Sequence, residues 1–295
     1  MFQRFLVSTD LTDGAYRLLT CLPALASAGV KTIVFLHVVP LGSDDGVPRV
    51  DEEKVERARQ LLNAGLEKTD MTIEATIDIR TGNPSEAILK AIQVHDPQVV
   101  LLGKPVSSFL NEKLFGSTTT KLAQQIKIPL LVMRPQLVMA FTQDELTLRC
   151  QHLFRTLLIP CDGSETFQQL LRRLSNCLQE TTAKIPERIV LCRVIEEGRY
   201  QSLSQAESQK QAEEQLSTAK ALLADVMALG VQVDVSIRQG NPVVEVMQAA
   251  FEVDATAIVI SSKNVGKIWE LSVPSVAGEL LRQCWRPVLF FPPVS

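Results

Sequence analysis

The stretch TIDIRTGNPSEAI at residues 76–88 returns at 235–247 as VSIRQGNPVVEVM. Arg80, Gly82, Asn83 and Pro84 align with Arg238, Gly240, Asn241 and Pro242 at a single offset of 158 (238 minus 80). In both places alternating apolar residues read as a strand. Asparagine then offers its side chain as a helix N-cap, and proline takes the first helical position, where its missing N–H costs nothing. A strand running straight into a helix, twice in one chain, predicts a duplicated α/β unit.

Working outward, the same offset pairs Asp96 with Asp254, VVLLG (99–103) with AIVIS (257–261), Ser117 with Ser275 and Pro129 with Pro287. Upstream the offset shrinks, so that Val38 pairs with Val194 and Asp10 with Asp162. Loop insertions account for that drift, and a period this long means domain duplication rather than a solenoid. The first copy reads as strand 5–9, helix 13–28 kinked at Pro23, strand 32–39 and a helix over 51–68. Val55, Ala58, Leu62 and Leu66 form that helix's apolar stripe. Next come strand 71–79, a helix from Pro84, strand 99–103, a helix from Ser117 and strand 129–133. The alternation in 71–79 suits a strand near the sheet edge, whereas the unbroken apolar run 99–103 suits burial on both faces. The second copy repeats this order, with strands LLIP, ERIVLCRVI, VQVDVSI, TAIVIS and PVLFF. Phe167, Leu170, Leu171, Leu174 and Leu178 give its first helix one apolar face. Its second helix opens on a polar, solvated stretch, 201–215. Alternation of strand and helix predicts parallel strands joined by right-handed crossovers.

The expected domains are 1–134 and 153–295, with an ordered linker at 135–152. Thr142 and Glu145 stand in capping-box spacing, which predicts a short linker helix packed by Leu146 and Leu148. With 295 residues the chain can build two cores. Lysine plus arginine against aspartate plus glutamate is 15 to 15 over 1–134 and 15 to 18 over the rest, with no basic run. Nucleic-acid binding through a basic patch is not expected. No apolar run has the ~18 residues of a membrane span. MFQRFLVSTD runs directly into a strand, so no signal peptide is expected and a cytoplasmic location is. Six cysteines form no C-x-x-C pair, and His37, His95 and His152 give no zinc spacing. The cysteines read as small core residues and His37 as a satisfied core histidine.

In an open parallel sheet, ligands bind beyond the carboxyl ends of the strands where strand order reverses. Asp10, Val38 and the loop after Gly103 end there. That loop, GKPVSSFLNEKLFGSTTTKL, closes on Gly116-Ser117-Thr118 at a helix start. Unpaired N–H groups and partial positive charge at such a start favour a phosphate. Taken alone, Ser117 reads rather as an ordinary N-cap and Gly103 as a tight turn. The sequence contains no P-loop, dinucleotide fingerprint or nucleophile elbow, and no nucleophile–base–orienter set can be assembled.

These features together resemble the universal stress protein family. Gly103, Val106 and Gly116-Ser117 follow the spacing of that family's G-x2-G-x9-G-[S/T] loop, with valine at the middle glycine. LVSTD, LHVV, the GNP helix start and the closing I-P-hydrophobic strand agree in order, over nearly the whole of both copies. The resemblance implies two tandem five-stranded parallel sheets with helices on both faces, Rossmann-like and of the adenine nucleotide alpha hydrolase-like kind. It implies an intramolecular pseudo-dimer paired through the last strand of each copy. It also implies an ATP or other adenine nucleotide site. Asp10 and Val38 would meet the adenosine, and Gly103, Val106, Gly116, Ser117 and Thr118 the phosphates. The second copy puts Ser261, Asn264 and Pro274 at the loop glycines and is expected to be structural, without a triphosphate site. The reading is a non-catalytic stress-response protein. The alternatives are a nucleotide-free scaffold with both pockets lost and a slow ATP hydrolase.

Overall fold

A computed structural model of the chain describes residues 1–9, 11, 17–44, 47–67, 73–103, 125–133, 142–196, 205–262 and 275–293. The chain divides into two compact units, Phe2–His152 and Leu153–Ser295.

The first unit holds β1 (Arg4–Thr9), α1 (Leu22–Ser27), β2 (Thr32–Val39), α2 (Glu52–Glu67), β3 (Glu74–Thr81), α3 (Pro84–His95), β4 (Val99–Gly103), β5 (Leu130–Met133) and α4 (Gln143–Gln151). Its sheet order is β3-β2-β1-β4-β5, every pair parallel. The order runs one way from β1 to β3 and then jumps back to β4. Right-handed crossovers therefore put the connections on opposite faces, and the reversal falls between β1 and β4. Central β4 carries no alternation because both its faces are covered: Val99 and Val100 are fully buried. Edge strand β3 has no fully buried residue, as its polar alternation requires. A small antiparallel hairpin, Gly42–Asp44 with Val47–Arg49, was not anticipated from the sequence.

The second unit repeats the plan with β6 (Thr156–Pro160), α5 (Glu165–Gln179), β7 (Arg188–Ile195), α6 (Gln205–Ala221), α7 (Ala224–Ala228), β8 (Gln232–Gln239), α8 (Pro242–Glu252), β9 (Ala257–Ser261), α9 (Val276–Gln283) and β10 (Val288–Phe291). Its order is β8-β7-β6-β9-β10, again all parallel. All five residues of the predicted apolar face of α5 are buried. α6 keeps a polar start and buries only Ala212, Leu216 and Ala219.

The repeat is visible in backbone detail. Asn83 accepts from Ser85 N at 2.9 Å and Glu86 N at 3.4 Å, and Asn241 accepts from Val243 N at 3.0 Å and Val244 N at 3.3 Å. Gly82 and Gly240 precede them at φ +104° and +135°, and Asp96 and Asp254 both take the left-handed conformation after the helix. The repeat arginines are held differently. Arg80 donates to Asp78, which also bonds His95 Nε2 at 2.9 Å. Arg238 instead reaches Glu245 at 3.5 Å and Glu252, both on α8.

Three expectations need correction. The helix expected over 13–28 does not kink at Pro23; among the described residues a first segment ends near 19, and α1 begins anew at Leu22 with proline in its first turn. A proline there cannot supply the N–H that a continuous helix needs, and α5, which contains none, runs unbroken. In α2 only Ala58 and Leu62 of the predicted stripe are fully buried, joined by Gly65. The capping box of α4 is present, Thr142 accepting from Glu145 N and Glu145 from Thr142 N, yet only Leu146 packs; Leu148 is 56% exposed. Leu146 and Leu148 are two apart and cannot share a helix face.

Candidate functional site

Asp10, Val106, Gly116, Ser117 and Thr118 lie outside the described residues. Of the remaining predicted positions, Val38 stands at the end of β2 opposite Arg80, and Gly103 ends β4 opposite Met133. His37 is held by Thr9, with 2.9 Å between Nδ1 and the Thr9 carbonyl, and is only half-buried. It ties the end of β2 to the end of β1. Leu11, directly after Asp10, is a leucine with φ 60°, and its N–H donates to Thr9 Oγ1 at 3.1 Å.

The second unit describes the same region more fully. A cleft of roughly 390 Å³ opens at the carboxyl ends of β6, β7 and β9, where the strand order reverses. Asp162, Val194, Ser261 and Ser275 all line it. Through the repeat these are the counterparts of Asp10, Val38, Gly103 and Ser117. Phe167, Val246 and Leu280 supply apolar wall.

Each polar group at the rim has a local reason for its place. Gly163 sits at φ +71°, the conformation that Leu11 holds in the first unit, and turns the chain away from the sheet. Asp162 Oδ1 then accepts from Ser164 N at 2.9 Å, and Ser164 caps α5. Arg193 occupies the His37 position and makes the equivalent tie, Nη1 to the Cys161 carbonyl at 3.2 Å. Its Nε is buried without a hydrogen-bond partner among the described residues. Gln215 Oε1, whose side chain packs against Gly163, is also buried and unpartnered among them. Such groups are costly unless water or a ligand satisfies them. Ser275 accepts from Gly278 N at 3.1 Å, so lining the cleft and capping α9 are one role of the same side chain.

Among the described residues lining the cleft, no nucleophile is paired with a base. Burial pushes the Cys161 and Cys192 thiols up to about 11, so both stay protonated near neutral pH. The Ser261 hydroxyl is committed to the Phe291 carbonyl at 2.8 Å. Among the described residues, neither a histidine nor a lysine lines the cleft. Among the described residues no cluster of metal-binding side chains occurs, and no helix is long and apolar enough to cross a membrane.

Sequence reasoning sought a phosphate loop and so passed over the second-unit cleft. Its lining comes from separated segments, and the one usable signal was Asp162, Val194 and Ser275 surviving at repeat positions.

The model of the universal stress protein family matches residues 1–134 and again 153–292. A universal stress protein from Archaeoglobus fulgidus DSM 4304 is similar in structure, with TM-score 0.64, 21% identity and 97% of each chain covered. A putative universal stress protein from Pseudomonas aeruginosa UCBPP-PA14 matches at TM-score 0.55 and 12% identity, over 99% of this chain and 94% of that one. At these identities the likeness is one of fold. A universal stress protein in complex with cAMP matches 46% of this chain and 95% of its own at 20% identity and TM-score 0.34. Curated protein sequences gave no match.

Proposed function

The chain belongs to the universal stress protein family, with two family domains in tandem, and from that premise we propose that it is a non-catalytic, cytoplasmic stress-response protein that binds an adenine nucleotide in its first copy. The observation that carries the reading is convergence. In the second unit the four positions equivalent to Asp10, Val38, Gly103 and Ser117 line one cleft at the switch point. The same positions in the first copy carry the more complete phosphate loop, Gly103 with Gly116-Ser117-Thr118. Leu11 adds support. A leucine held at φ 60° costs about 1–2 kcal/mol, and such strain concentrates at ligand sites. The second copy has a cleft but lacks the loop glycines, and Pro274 removes an N–H that a phosphate would use. Its cleft is therefore read as non-binding for triphosphates.

The two copies are further proposed to associate through their last strands, LLVM and VLFF, which terminate the sheet order of their own units and are wholly apolar.

The test is direct. Protein purified without added nucleotide is heat-denatured and the supernatant analysed for adenine nucleotides. Release of ATP, ADP or AMP supports the reading. A nucleotide-free supernatant, together with no calorimetric binding of added ATP by either wild type or Val106→Gly, would leave the scaffold reading in its place.

A further inference from the structure

Arg193 lines the second-unit cleft with one of its donors open. Its Nη1 ties to the Cys161 carbonyl at 3.2 Å, while its Nε is buried and has no hydrogen-bond partner among the described residues. A buried donor in that state is unfavourable until water or a ligand answers it. A resident water needs about two to four polar partners of its own. Three hydroxyls that line the cleft already hold backbone partners: Ser164 accepts from Phe167 N at 3.2 Å, Ser275 accepts from Gly278 N at 3.1 Å, and Ser261 donates to the Phe291 carbonyl at 2.8 Å. Phe167, Leu170, Val246, Ile260 and Leu280 form an apolar wall. At roughly 390 Å³ the cleft falls within the ~300–1,000 Å³ range of small-molecule sites.

We infer that this cleft is a binding site for an uncharged, largely apolar small molecule that presents one hydrogen-bond acceptor to Arg193 Nε. Charge selects against an anion. Among the described lining residues the formally charged side chains are Arg193, Asp162 and Glu196, one cation against two carboxylates. An anion drawn to Arg193 therefore meets net negative charge, and it gives up water for a partly apolar space. A cation cannot accept from Nε and is repelled by the guanidinium. A carbonyl, ether or ring-nitrogen acceptor answers Nε without either penalty. The apolar wall then supplies contact area, and the donor fixes the orientation of the ligand.

The repeat supplies the contrast. In the first copy the Arg193 position is His37, which ties the end of β2 to the end of β1 with 2.9 Å between Nδ1 and the Thr9 carbonyl. A histidine thus holds these two strands together as an arginine does, and the tie alone gives no reason for arginine in the second copy. What arginine adds is a further buried donor. Arg193→His therefore removes the open Nε while keeping a ring nitrogen for the tie. The site is independent of any nucleotide bound in the first copy.

The full chain is titrated into prodan, a neutral naphthyl ketone whose emission brightens and shifts to the blue in apolar surroundings, first without ATP and then with ATP in excess. Saturable binding is expected, and ATP should not displace the probe. Competition on the same unsubstituted chain then separates charge from shape. Acetylnaphthalene and naphthoate, substituted at the same ring position, have nearly the same outline, and the ketone should displace prodan at about a tenth of the concentration that the carboxylate needs. Arg193→His should weaken prodan binding by about 10-fold. Ala277→Trp, which fills the cleft from the first turn of α9, should abolish it. The matched competitors decide the charge preference even where a variant folds poorly. Equal displacement by ketone and carboxylate overturns the inference. So does displacement by ATP, an absence of saturable binding, or binding that both Arg193→His and Ala277→Trp leave unchanged.

Discussion

At the residue scale, the two copies solve the same local problem with different side chains. After the strand-one aspartate the chain must take a left-handed residue, which is glycine in the second copy and leucine in the first. A side chain at Gly163 would suffer that conformation and would also meet Gln215 at 2.6 Å. Gly163→Ala should therefore destabilise the second copy by about 1–3 kcal/mol in urea unfolding. Asp78 provides a pH test. Burial opposes its ionisation, but hydrogen bonds from Arg80 and His95 outweigh that and hold its carboxyl below the ordinary range. A depressed folded value means the contribution is present above the unfolded carboxylate value, about 3.9, and is lost as pH falls through the folded one. Asp78→Asn should cost about 1–3 kcal/mol at neutral pH. The gap from wild type should close as pH drops below about 4, and a gap that stays constant with pH would remove Asp78's charge from the account.

At the element scale, α4 shows what a helix in a linker needs. Its capping box starts it, and Leu146 anchors it. Leu146→Ala should cost about 2–5 kcal/mol, and Leu148→Ala no more than about 0.5. Similar losses from both, measured by denaturant midpoint, would mean that the packed face has been misassigned. Most elements were legible in the sequence because one physical signal dominated each. Unbroken apolar runs marked β4 and β9, and Asn-Pro marked the starts of α3 and α8. What escaped was set by tertiary contact. The hairpin at 42–49 carries no apolar pattern. The break before α1 depends on how Pro23 is accommodated, and spacing could not decide which of Leu146 and Leu148 faces inward. The candidate site was half legible. Asp162, Val194 and Ser275 were identified as surviving repeat positions, but a cleft assembled from separated segments has no motif to announce it. Arg193 could be placed only as the counterpart of His37 once both ties to strand one were seen.

At the scale of the whole molecule, duplication lets one copy diverge while the other keeps a ligand, provided that the two stay joined. If the last strands pair, the copies expressed separately as 1–152 and 153–295 should associate on mixing, seen as a heterodimer by sedimentation. Fragments that remain monomers together would contradict that pairing. The central claim is the division of labour between the copies, and isothermal titration with ATP tests it most directly. The account predicts that the wild-type chain binds at about one site, that Gly116→Val abolishes binding by filling phosphate space at the helix start, and that Ser275→Ala changes nothing. Equal loss from Gly116→Val and Ser275→Ala, or binding that survives Gly116→Val and disappears with Ser275→Ala, would contradict it.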